Sequence, residues 1–147
     1  MEIGKLFKKG VFKMAKLSAI AVDTQKVVGG VWVEHYLGYS FKIARMDNAE
    51  YIKYLKTLIE PHLKEMRAGS FDAEKRLDLT KQAAAKCILV GWKNVEDEAG
   101  KPIPYSPENA LELFRKPELV DLYDFIINES TSAARYRQET KKESIKN

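Results

Sequence analysis

The chain has one cysteine, two histidines and no long apolar run, and each shortage excludes a class of protein. The single thiol, Cys87, excludes an internal disulfide and a zinc site built from several cysteines. No apolar run approaches the roughly 20 residues that a membrane helix needs, so we expect no membrane partner. A chain of 147 residues is normally one domain and can fold without a metal or a disulfide.

The net charge of +4 lies at one end of the chain. Residues 1–26 hold six lysines against Glu2 and Asp23, which leaves the remainder neutral. Apolar residues recur there at near-helical spacing, but Gly4 and Gly10 weaken a helix. We therefore predict a flexible basic N-terminal arm at 1–26, a globular domain at 27–138, and a disordered charged tail at 139–147.

The pattern of the domain predicts an α+β fold. Residues 27–36 and 41–45 are rich in β-branched and aromatic residues and predict a β-hairpin, with a glycine-bearing turn at 37–40. About four helices follow. The first starts at Asp47, is interrupted by Pro61 and closes at Gly69. A second begins near Asp72 and ends near residue 90.

The third and fourth predicted helices lie beyond a polar loop, which runs from Trp92 to Tyr105. Ser106 and Pro107 give the third helix an N-cap and a first-turn proline. The last helix carries apolar residues from 119 to 127 and is expected to continue toward Tyr136. The fold prediction is a hairpin packed on about four helices, mainly helical overall.

Catalytic and metal-binding residues are not predicted. His35 and His62 lack a partner at a metal-binding spacing, and Cys87 lies on an apolar helical stripe without a positioned base. The acidic run at 96–98 lacks the alternating ligands of a calcium loop. We therefore expect a protein that is not an enzyme and needs no cofactor.

Aromatic residues bound the polar loop and suggest where a protein partner binds. Trp92 and Tyr105 flank it, and their simplest role is to close the core beneath the loop. Aromatics are also enriched in binding hot spots. Our candidate protein-binding residues are Trp92 and Tyr105 with Trp32 and Phe41 of the hairpin, whose free strand edge is itself a docking surface.

The order of several motifs resembles the tail assembly chaperones of long-tailed bacteriophages. The motifs are GVWV at 30–33, FKIAR at 41–45, DN at 47–48, VGW at 90–92, GKPIPYSPENA at 100–110, LF at 113–114 and PEL at 117–119, followed by RYR at 135–137. The resemblance covers roughly residues 30–138, and its most specific part is 92–110. The basic arm has no place in this pattern.

The resemblance implies a protein of the host bacterial cytoplasm that binds the tape measure protein, keeps it soluble and helps recruit tail tube subunits. Such chaperones are often made in two lengths by ribosomal frameshifting, and Lys141 and Lys142 mark a candidate frameshift position. A longer frameshift product and self-association are therefore further partners to consider. Two alternatives stay open: a permanent virion protein of the head–tail junction or tail, and a small nucleic-acid-binding regulator that uses the basic arm, although nucleic acid is the less favoured partner.

Overall fold

The computed structural model describes residues 14–35 and 37–138 and confirms a mixed α+β fold. Part of the predicted arm, the whole predicted tail and the candidate frameshift residues Lys141 and Lys142 lie outside these residues. The elements are α1 (Thr24–Gly29), β1 (Val31–Glu34), β2 (Ser40–Ile43), α2 (Ala49–Ile59), α3 (Leu63–Arg67), α4 (Ala73–Cys87), β3 (Leu89–Lys93), α5 (Pro107–Arg115) and α6 (Val120–Ser130). Short 3-10 turns occupy Leu17–Ala19, Glu60–His62, Pro117–Leu119 and Ala133–Tyr136.

The predicted hairpin is part of a three-stranded antiparallel sheet in the order β1–β2–β3. The prediction of a helix up to residue 90 is wrong, because α4 ends at Cys87 and the chain becomes strand β3. Phe41 pairs with Trp92, and Ile43 pairs with Leu89 across a bulge. The third strand gives Leu89 and Trp92 a place in the core that a continued helix would not provide.

Helix α1 replaces the predicted start of the first strand. Residues 27–29 are helical because the Asp23 carboxylate accepts hydrogen bonds from the N–H groups of Gln25 and Lys26. This is the usual action of an N-cap aspartate, and it overrides the β-propensity of the two valines. The helix spans the predicted boundary between the arm and the domain, and Gly30 ends it with φ of +88°.

Gly30→Ala is expected to destabilise the protein by more than about 1 kcal/mol. A Cβ atom at Gly30 would lie 2.9 Å from Cγ2 of Val90 and 3.1 Å from the carbonyl carbon of Ile43, in addition to the unfavourable φ. Gly29→Ala is the matched control, since a Cβ there meets nothing within 4 Å. The control should stabilise the helix slightly. Urea unfolding of both variants checks the prediction, and equal midpoints would contradict it.

Asn48, rather than the predicted Asp47, caps helix α2. Its Oδ1 accepts from the N–H of Tyr51, and its Nδ2 donates to the carbonyls of Arg45 and Cys87. The bond to Cys87 anchors the cap to the core, so the face that begins at Tyr51 turns inward. Ile52, the next residue, is consequently exposed, although the helical spacing of Ile52, Leu55 and Ile59 predicts one shared apolar face. The predicted interruption at Pro61 and closure at Gly69, with φ of +73°, are confirmed.

The core lies between the inner face of the sheet and the helices α2, α4, α5 and α6. Ser106 caps α5 as predicted, with its Oγ accepting from the N–H of Asn109. Arg115 of α5 forms a bidentate pair with Asp78 of α4 at 2.8 Å, which fixes the two helices against each other. Helix α6 ends at Ser130 and does not reach Tyr136, which lies on the final 3-10 turn.

Residues 21–23 and 136–138 meet beside the sheet. The hydroxyl of Tyr136 donates to the carbonyl of Ile43 at 2.9 Å, and its own carbonyl accepts from the N–H of Asp23 at 2.7 Å. Val22 and Arg137 form an isolated antiparallel bridge. Tyr136 lies outside helix α6, at a position where its hydroxyl bonds to the sheet, and this long-range contact is not visible in the helical pattern of the sequence.

Candidate protein-binding groove

An apolar hollow of about 290 Å³ opens between the end of the hairpin, the loop that follows β3, and the junction of α5 with α6. Its floor is made of apolar and aromatic side chains, and charged side chains stand at its rim. The lining residues are Tyr39, Phe41, Val95, Glu96, Asp97, Glu98, Ile103, Leu113, Lys116, Leu119 and Leu122. Such a mixture of apolar floor and polar rim is typical of binding sites.

A second hollow of about 230 Å³ adjoins the first and shares Tyr39, Phe41 and Leu122 with it. It adds the side chains of His35, Leu37, Asp121 and Phe125. We call the two hollows together the groove. Because the two hollows share lining residues, the groove suits a segment that places more than one apolar residue on the floor.

Hydrogen bonds within the loop hold the acidic rim of the groove in place. Asp97 Oδ1 accepts from the N–H groups of Ala99 and Lys101, both at 2.9 Å. The N–H of Ile103 donates to the carbonyl of Val95, which closes the base of the loop. Because its base and its turn are both fixed, the loop carries Glu96 and Glu98 at a defined position beside the apolar floor.

The rim of the groove is mainly negative. Glu96, Asp97, Glu98 and Asp121 are exposed there, and Lys116 is the positive side chain among the lining residues of the first hollow. Exposed charges around an apolar site chiefly set the rate of association and the choice of partner. The groove therefore favours a partner segment that combines apolar residues with lysine or arginine.

Two of the candidate binding residues, Trp92 and Tyr105, support this loop from below. Their rings meet edge to face at 5.2 Å, and the Trp92 indole N–H donates to the carbonyl of Ile103 at 2.7 Å. The Tyr105 hydroxyl lies 2.5 Å from the carbonyl of Leu89, and burial raises the pKa of Tyr105 to about 12. Both residues therefore position the rim of the groove.

The other two candidates lie on opposite faces of the sheet. Phe41 is buried and forms part of the groove floor, where its ring contacts those of Tyr39 and Phe125. Trp32 is 44% exposed on the outer face of the sheet. The sheet therefore separates Trp32 from the floor of the groove. The structure thus brings Phe41 together with the residues around Trp92 and leaves Trp32 on a separate surface. Their roles in binding stay predictions.

The titratable side chains singled out in the sequence lie apart from one another. His35 packs its ring against Phe125 at 4.8 Å, and His62 packs against Phe71 at 4.9 Å. Burial raises the pKa of the Cys87 thiol, which disfavours the reactive thiolate. Within residues 14–35 and 37–138, no three metal-ligating side chains come together.

Most of the groove was not predicted from the sequence. Leu113, Leu119 and Leu122 fit the apolar patterns of the helices, but nothing in those patterns shows that they face an open hollow. The position of the loop depends on strand β3, where the sequence pattern predicts the end of a helix. Strand β3 buries Leu89 and Trp92 with two less buried residues between them, so the alternation that usually marks a strand is absent there.

Comparison with known protein families gives a match to most of the chain. The YdaY prophage protein family is similar to residues 46–147, which are more than two thirds of the chain. The matched region contains the acidic loop and the helices that line the groove, while strands β1 and β2 precede it. No curated protein and no solved structure matches the chain. None of the helices within the described residues is long and apolar enough to cross a membrane.

Proposed function

The chain belongs to the YdaY prophage protein family and is therefore phage-derived, and from this premise we propose that it is a tail assembly chaperone. In this proposal it binds the tape measure protein in the host bacterial cytoplasm, keeps it soluble and helps recruit tail tube subunits. The role is non-enzymatic. The groove is the observation that carries the proposal, because it offers an open apolar floor where a partner segment can be shielded from water.

The apolar floor suits the task of shielding aggregation-prone helices. An amphipathic helix buries its apolar face in a groove through residues spaced three and four positions apart. The two adjoining hollows provide more than one place for such side chains. Leu119 and Tyr39 line the floor and do not belong to the packed core, so a partner can cover them without disturbing the fold.

The acidic rim supports selection among apolar helices. Glu96 and Glu98 stand beside the floor without a hydrogen-bonded partner within the described residues. Basic side chains that flank an apolar segment of the tape measure protein would find these carboxylates at the mouth of the groove. Tail tube protein and a longer frameshift product of the same gene are the further partners in this proposal.

Leu119→Asp is expected to weaken binding of the tape measure protein by about 2 kcal/mol or more, which is roughly 30-fold. The substitution removes an apolar contact from the floor. Leu119 is the N-cap residue of α6, where aspartate is favourable, so the fold should persist. The measurement is co-expression with the tape measure protein of the same prophage, followed by pull-down and quantification of the soluble partner.

Val120→Asp is the matched control for this experiment. Val120 is the next residue, is 54% exposed and lies outside the groove. The same charge in the same helical turn should leave binding unchanged. Equal loss in both variants would show that the groove is not the binding site. A tape measure protein that stays insoluble with the unaltered chain, even alongside a longer frameshift product, would overturn the chaperone proposal itself.

A further inference from the structure

Strand β1 has an open edge. The sheet order places it at the outside, and no described strand pairs with its outer side. The N–H of His35 donates to the carbonyl of Tyr39 at 2.8 Å, which fixes the alternation of hydrogen bonds along the hairpin. Residues 31 and 33 therefore bond to β2, and the backbone groups of Trp32 and Glu34 point outward.

The β1 edge has few features that protect it against pairing. Natural edge strands are usually guarded by proline, lysine or a bulge, and β1 consists of Val31, Trp32, Val33 and Glu34 in regular pairing with β2. Its outer face carries Trp32 and Glu34, both exposed. The Nζ atoms of Lys93 and Lys42 lie 4.3 Å and 6.0 Å from the centre of the Trp32 ring.

We propose that β1 pairs antiparallel with β1 of a second copy of this chain, so that two three-stranded sheets become one six-stranded sheet. Charge complementarity supports a second copy as the occupant. The two lysines beside Trp32 favour a neighbouring strand that carries a carboxylate, and β1 itself provides one in Glu34. Two-fold symmetry then places the contact between Glu34 and the lysines beside Trp32 twice in the dimer.

The charges also favour one register of the β1–β1 pair over another. With Val33 opposite Val33 of the second copy, each Trp32 lies opposite a Glu34, and the outward backbone groups of these residues form four hydrogen bonds. Each Glu34 carboxylate then comes beside the Trp32 ring and its lysines. The alternative register, with Trp32 opposite Trp32, places Glu34 opposite Gly30 and brings no opposite charges together. The first register is the one proposed.

Glu34→Pro tests this dimer in the full chain. Proline removes the outward N–H group of residue 34, and an edge strand tolerates it there because that group bonds to nothing in the sheet. Two hydrogen bonds are lost per dimer, so the dimer dissociation constant should rise about 10- to 100-fold. Glu34→Ala keeps the N–H group and should have a smaller effect. Sedimentation velocity over a range of protein concentrations measures both, with circular dichroism as the check of folding.

A charge exchange tests the proposed register separately. Glu34→Lys should weaken the dimer, and the added substitution Lys42→Glu should restore part of the affinity because it returns an opposite charge to the same place. A chain that is monomeric at the highest concentration reached, or a Glu34→Pro variant that dimerises like the original, would overturn the proposal. These readouts do not involve the tape measure protein, so the result is independent of the proposed chaperone role.

Discussion

Tyr136→Ala is expected to lower the free energy of unfolding by about 3–5 kcal/mol, as for other large aromatic residues deleted from a core. Tyr136 has 0% of its surface exposed, and its hydroxyl donates to the carbonyl of Ile43 in the sheet. Removing the ring leaves a cavity and also releases the turn that holds Asp23. Urea unfolding followed by circular dichroism measures the change.

Tyr136→Phe separates the hydroxyl from the ring. This variant keeps the apolar contacts but leaves the buried carbonyl of Ile43 without its donor, so the expected loss is about 1–3 kcal/mol. The alanine variant should be clearly less stable than the phenylalanine variant. If alanine costs less than about 1 kcal/mol, Tyr136 does not close the core in the way described.

Raising the pH from 10 to 12 is expected to lower the free energy of unfolding by about 2 kcal/mol for a fully buried tyrosine of this kind. Burial raises the pKa of both Tyr136 and Tyr105 from 10.0 to about 12. The unfolded chain loses these protons near pH 10, before the folded chain does. The stabilisation is thus fully present below pH 10 and is lost as the pH rises toward 12. Tyr105 is partly exposed, so solvent screening reduces its contribution to this loss of stability.

Equilibrium unfolding at a series of alkaline pH values measures this dependence. Phenylalanine does not ionise, so Tyr136→Phe should show a shallower loss of stability between pH 10 and 12 than the unaltered chain. Lysine deprotonation affects both proteins alike and does not obscure the comparison. Parallel curves would show that Tyr136 does not supply the alkaline dependence.

The helices were predictable where a local signal determines them. Ser106 with Pro107 marks the start of α5, and Pro61 marks the interruption after α2, because caps and proline act within one turn of the chain. Strand β3 and helix α1 were not predicted. Strand β3 depends on pairing with β2, which is about 50 residues away, and α1 depends on an Asp23 cap that competes with β-branched residues.

The groove could not be predicted from the sequence, and the reason is different. Its floor combines Phe41 of the hairpin with Ile103 of the loop and Leu122 of α6, and no pattern within one segment reports such a meeting. Trp92 and Tyr105 were correctly singled out as flanking the loop. Their packing beneath it appeared only with the structure, which shows how they set the position of the acidic rim.

The contact between residues 21–23 and 136–138 allows the order of the segments between them to be changed. The N–H of Gln138 donates to the carbonyl of Ala21, and Val22 bridges to Arg137, so residues 21 and 138 are direct neighbours. A circular permutant that joins these positions through a short glycine–serine linker needs little chain to close. New termini opened at the turn around Gly38, where φ is +101° and a Cβ would meet nothing, would then divide the hairpin and leave every helix continuous.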